Sequence, residues 1–76
     1  MTQQELLTHI QDALQRDEGL TPEMNLQELE EWDSLAIVSL ISLYDTYFGI
    51  SVTGNVLREC QKVSDLIAIA ENKLEQ

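Results

Sequence analysis

Between Asp33 and Gly49, apolar residues recur at Ile37, Leu40, Ile41, Tyr44, Tyr47 and Phe48. This spacing constrains the fold more than any other feature. Steps of three and four put all six on one face of a helix, sustained for about three turns. Gly49 supplies a stop, because glycine takes the left-handed conformation at low cost. The pattern therefore predicts a helix over 34–48, about 22 Å long at ~1.5 Å per residue. Leu35, Val38 and Ser42 fall off the stripe, beside Ser34 along the helix. They fit either a secondary core or a contact surface.

The remaining segments read as shorter helices. Thr2-Gln3-Gln4-Glu5 has the form of a capping box, and Leu6, Leu7, Ile10, Ala13 and Leu14 follow as a stripe. A first helix from residue 3 to about 16 is expected, stopping near Gly19, with His9 off its apolar face as a surface histidine. The connection 17–33 is longer than the ~2–8 residues usual in a bundle. Thr21-Pro22-Glu23 predicts one short turn in it, and Leu20, Met24, Leu26, Leu29 and Trp32 would pin it to the core with its acids facing solvent. After Gly49, Ile50 and Val52 should point inward from an extended link. Asn55 to Cys60 predicts a short helix with Val56, Leu57 and Cys60 inward. Ser64 or Asp65 would cap a last helix carrying Leu66, Ile67, Ile69, Ala70 and Leu74. Only Ile50-Ser51-Val52-Thr53 alternates like a strand, and it has no partner. The expectation is an all-α fold: three main helices and a short one around a single core, one domain over residues 1–76.

Charge narrows the partners. Fourteen acids against four bases give a net charge of −10, which disfavours nucleic acid and stable association with an anionic membrane. It favours partners with basic patches, attraction acting mainly on encounter rate. Seven acids (Asp17, Glu18, Glu23, Glu28, Glu30, Glu31 and Asp33) fall within residues 17–33, which hold no Lys or Arg. The single cysteine, Cys60, allows no internal disulfide and fits a reducing compartment. It reads as a small buried hydrophobe. No basic-then-apolar leader and no run near the ~18 residues of a membrane span occur, so a cytoplasmic location is the expectation.

Catalysis finds no inventory. A serine triad has only His9 to draw on, zinc would need more than one Cys and one His, and the three glycines are isolated. Residues 23–34 lack the alternating acids and central glycine of a calcium loop. No metal site and no enzyme activity are expected. Ser34 is then of interest as an acceptor for another enzyme's reaction. A phosphodiester there would gain from the amides and dipole of the helix N-terminus, against like-charge repulsion from Asp33. The competing reading is that Asp33 or Ser34 is only an N-cap, worth about 1 kcal/mol.

From about residue 3 to residue 74 the chain resembles the acyl carrier proteins. The resemblance rests on Asp33-Ser34-Leu35 preceded by Trp32, with Leu26, Leu29, Leu40, Phe48-Gly49-Ile50, Val63 and Leu66 at matching separations. It implies a four-helix bundle, three helices long and one short, with a long loop after the first. It further implies that a phosphopantetheinyl transferase moves 4′-phosphopantetheine from coenzyme A onto Ser34. The thiol of that arm would hold acyl groups as thioesters and present them to enzymes with basic patches, and a lipid chain could be sheltered between the helices. The second helix would be the recognition surface, with Asp33, Leu35, Val38, Ser39, Ser42 and Asp45 as contacts and the domain a monomer. An aminoacyl carrier loaded by an adenylating enzyme, and an unmodified acidic interaction module, are the alternatives.

Three departures from the family pattern point to a specialised carrier of a fatty-acid, polyketide or related pathway. The second helix opens with Ala36, Ser39 and Ser42 where fatty-acid carriers usually place acids, leaving Asp45 alone in 34–48. The short helix carries Gly54, Asn55 and Arg58. Negative charge lies upstream instead, at Glu28, Glu30 and Glu31, which adds Glu30 and Glu31 to the expected partner contacts. Tyr44 and Tyr47 are bulky for their places and would narrow a cargo cavity.

Overall fold

Each helix start can be traced to a group that satisfies its free amides. Thr2 Oγ1 accepts from the Glu5 amide at 3.1 Å and Glu5 Oε1 accepts from the Thr2 amide at 3.0 Å, the reciprocal box expected from the sequence. It opens α1 (Gln3–Leu14). Asp33 opens α2 (Ser34–Phe48) and Thr53, whose hydroxyl accepts from Val56, opens α3 (Gly54–Glu59). The fourth, α4 (Val63–Ile69), has no side chain accepting at its first amides. These come from a computed structural model that describes residues 1–75. The fold is all-α, as expected, with no strand among the described residues and single 3-10 turns at Leu26–Glu28 and Glu71–Lys73.

Several helix ends differ from the sequence expectation: α3 lies one residue early, at Gly54–Glu59, and the end of α1 and the start of α4 are moved by contacts distant in sequence. The first helix stops at Leu14, well short of Gly19, because Gln15 takes the left-handed conformation with φ 56°. The Arg16 amide reaches back to Gln11 O at 3.1 Å, and Gln11 Nε2 returns to Arg16 O at 3.1 Å. The last helix starts at Val63, so neither Ser64 nor Asp65 is its cap. The Val63 and Ser64 amides donate to Met24 O and Pro22 O of the long connection, each at 3.0 Å. Asp65 instead accepts from the Gln61 and Lys62 amides at 2.9 and 3.1 Å. That helix spans seven residues before tightening into the 3-10 turn, so Leu74 lies beyond it.

The core joins all four helices. Leu6, Ile10, Leu26, Leu40, Tyr44, Leu57, Val63 and Leu66 are fully enclosed; α2 packs on α1 and α3, and α1 on α4. Leu20 and Leu26 of the long connection are buried, with Met24, Leu29 and Trp32 packed against the core as expected. The Thr21-Pro22-Glu23 turn is present, closed by the Met24 amide on Thr21 O. Val52 and Cys60 are buried and Ile50 packs partly, but Val56 is 44% exposed, because α3 is too short to turn two neighbouring apolar residues inward.

Tyr44 is a core residue with a polar task. Its hydroxyl donates to Leu66 O at 2.6 Å. That carbonyl is free because the Ala70 amide turns to Ile67 O as α4 ends. Burial pushes the Tyr44 hydroxyl pKa well above its ordinary value, so it stays a donor. Tyr47 behaves otherwise: it is 52% exposed and stacks on His9, ring centroids 4.5 Å apart. Tyr47 therefore narrows no interior cavity, and His9 is half-covered where a free surface residue was expected.

Two predictions follow from these contacts. Tyr44→Phe keeps the ring but strands the buried Leu66 carbonyl, so urea denaturation should show a loss of about 1–3 kcal/mol; unchanged stability would mean the bond contributes nothing. Glu5 and Asp65 are held below the usual carboxylate range, Glu5 chiefly by the Thr2 amide and Asp65 by the Gln61 and Lys62 amides. A depressed folded pKa gives stability that is present above the unfolded value, about 4, and is lost as pH falls through the folded one. The pair Glu5→Gln/Asp65→Asn should flatten the acid limb of a stability–pH curve below about pH 4, and an unaltered limb would count against both caps.

Candidate functional site

The candidate site is the junction of the long connection with α2. Asp33 has extended backbone, and its Oδ1 accepts from the Ala36 amide at 2.9 Å. Its carbonyl takes the first helical bond, from the Ile37 amide at 3.1 Å. Asp33 is therefore the N-cap and Ser34 the first helical residue. Ser34 is exposed, and its hydroxyl makes no hydrogen bond to another described residue. The amides of Ser34 and Leu35 likewise have no partner among the described residues, as is usual for a first turn. A free hydroxyl thus stands beside two free amides at the positive end of a 15-residue helix.

The arrangement suits a phosphodiester-linked group. An anion on Ser34 Oγ can draw on the helix's unpaired amides without displacing any bond that the fold needs. Asp33 already spends one carboxylate oxygen on the Ala36 amide, which holds its charge at the cap.

The expected contact residues divide into two groups. Leu35 and Val38 are 71% and 61% exposed, so they are surface and not secondary core. Ser42 and Asp45 lie on the same helix face, exposed, and Ser39 is half-buried beside them. Val38, Ile41, Ser42 and Asp45 also form one wall of a shallow, mostly apolar groove of about 450 Å³, closed by Ile50–Val52. Glu30 is exposed, as are Asp17, Glu18, Glu23, Glu28 and Asp33 of the connection. Glu31 is not free: both of its oxygens accept from one Arg16 terminal nitrogen, at 3.1 and 3.4 Å. Sequence reasoning passed over Arg16. The signal was available, since Arg16 is the only Lys or Arg in the first 57 residues and directly precedes the acidic run.

The phosphopantetheine attachment site family matches residues 4–70 of this sequence. The chain belongs to that family, whose covalent group is 4′-phosphopantetheine. Among solved structures, a candidate acyl carrier protein from Mycobacterium tuberculosis has a similar fold. Its TM-score is 0.75 at 24% sequence identity, over 93% of this chain and 97% of that one. No curated protein matches. No described helix is long and apolar enough to cross a membrane.

Cap geometry and charge at Asp33 can be separated. Asp33→Ala should cost about 1 kcal/mol in urea denaturation, whereas Asp33→Asn, an equally good cap, should stay within a few tenths. Equal losses in the two variants would show that the carboxylate's charge, and not its hydrogen bond, holds the helix start.

Proposed function

We propose that Ser34 is the attachment residue and that the chain carries acyl groups as thioesters on a 4′-phosphopantetheine arm in a specialised biosynthetic pathway. The observation that carries this reading is the exposed, unbonded Ser34 hydroxyl at the first position of α2, inside the matched family region. In the transfer, Ser34 Oγ bonds to the pantetheine-side phosphorus of coenzyme A as the pyrophosphate bond breaks. Its proton passes to a base of the transferase, and adenosine 3′,5′-bisphosphate leaves. The arm supplies a terminal thiol for thioester chemistry; the protein supplies position and recognition. It does no catalysis of its own.

Recognition falls to Asp33, Leu35, Val38, Ser39, Ser42 and Asp45, with Glu30 on the adjoining turn. This face joins exposed apolar side chains to a few acids. It suits partners that pair a hydrophobic contact with a basic rim. A specialised role is supported by the low charge of α2, where Asp45 is the only acid in Ser34–Phe48. Tyr44, wholly enclosed and bonded to α4, occupies interior space that a long acyl chain would need. This favours short cargo, or cargo held in the open groove beside Ile50–Val52.

Intact mass spectrometry tests the reading. Incubation with coenzyme A and a broad-specificity phosphopantetheinyl transferase should add one phosphopantetheine unit to the wild-type chain and none to Ser34→Ala. That variant should fold normally, because Ser34 makes no side-chain bond. Addition to both proteins would move the attachment elsewhere. Addition to neither would remove the carrier reading.

A further inference from the structure

We propose that Arg16 is a positioning residue for the transfer to Ser34, acting through an ion pair with Glu31 that clasps the turn before α2 to the end of α1. The inference rests on the carrier function proposed above. Arg16 is held at every level. Its amide and carbonyl are both bonded to Gln11, on the left-handed turn at Gln15 that ends α1. Its side chain is only 15% exposed, and one terminal nitrogen meets both Glu31 oxygens. The second contact, to Glu18 at 3.6 Å, joins a carboxylate that is 85% exposed and contributes little. Glu31 is the partner that matters, with a side chain 30% exposed.

The clasp acts at short range on the site. Glu31 lies three residues before Ser34, inside a tight turn. There the Trp32 amide donates to Leu29 O at 3.1 Å and the Asp33 amide to Glu31 O at 3.0 Å. Leu29 and Trp32 give this turn only partial burial. Among the described residues the Arg16–Glu31 pair is the turn's one side-chain hydrogen bond or ion pair to the segment that follows α1, and Asp33, which caps α2, comes two residues after Glu31. The Nε of Arg16 is buried without a partner among the described residues, so the guanidinium's polar contacts run through its terminal nitrogens, to Glu31 and, more weakly, to Glu18. Glu31's charge is consequently spent inside the domain, which leaves Glu28, Glu30 and Asp33 around this turn, with Asp45 on α2, as exposed acids that a partner can meet.

Steady-state kinetics of phosphopantetheine transfer, with this chain as the varied substrate, test the clasp. A misplaced serine lowers kcat, whereas a lost partner contact raises KM. Arg16→Met and Glu31→Gln should each lower kcat about five- to tenfold with KM changed less than about twofold. The double variant should be no worse than either single one, and Arg16→Glu/Glu31→Arg should recover most of the loss. Arg16→Lys, which keeps the charge, should lie between Met and wild type. In Glu31→Gln, amide exchange at Trp32 and Asp33 should quicken while exchange in the middle of α2 does not, a readout that global destabilisation would not give. An unchanged kcat in Arg16→Met overturns the proposal. So does a raised KM in Glu31→Gln with Arg16→Met silent and no recovery in the swap, which would make Glu31 a direct partner contact. If the wild-type chain is modified normally and the variants match it, the clasp alone falls. If the wild-type chain accepts no arm, the carrier reading falls and the clasp's role in transfer falls with it.

Discussion

Three backbone hydrogen bonds hold this small domain to one arrangement: Leu26 N–H to Gln61 O, Val63 N–H to Met24 O and Ser64 N–H to Pro22 O. They solve two problems together. The connection between α1 and α2 has few helical bonds of its own and must place its polar backbone somewhere. Helix α4 begins without a side-chain cap and needs acceptors for its first amides. Each supplies what the other lacks. The connection is thereby fixed to the far side of the core, and Leu26 is carried into full burial between the helices.

With that seam in place, α2 becomes the element on which the outward face is built. Its inner side is anchored by Ile37, Leu40 and Tyr44, and the Tyr44 hydroxyl ties it to the end of α4. Its outer side carries Leu35 and Val38 in water, an arrangement that folding alone does not require. The stripe and the exposed face are two sides of one helix. Ser34 stands where that helix meets the connection, held by Asp33 on one side and by the turn on the other.

Much of this was legible from local pattern. The bounds of α2 follow from the apolar spacing, the Asp33-Ser34 start and the stop at Gly49, whose φ of 66° is the conformation glycine was expected to supply. The Thr2–Glu5 box was equally local. What escaped was decided by contacts distant in sequence. Gly19 looked the better stop for α1, yet Gln15 took the left-handed turn because the chain folds back there, with Gln11 bonded to Arg16 on both sides. Ser64 and Asp65 looked like caps, but the helix already starts at Val63, where the Val63 and Ser64 amides donate to the connection's carbonyls. Tyr47 kept the period of the buried stripe and still lies half outside, stacked on His9 of α1. Periodicity reports which residues share a face; it does not report how far the neighbouring helix extends to cover them.

The burial of Cys60 has a consequence for the chemistry proposed for this surface. Its thiol is enclosed, donates to Val56 O at 3.4 Å, and is pushed upward in pKa, first by burial and then by Asp65 and Glu59. A thioester swung on a flexible arm is open to attack by any nearby thiolate, since the thiolate is the attacking form and exchange needs access. A domain with an ionised, exposed cysteine could strip its own cargo onto itself. Here the one cysteine thiol is both protonated and covered, so on the carrier function proposed above the domain does not take its own cargo.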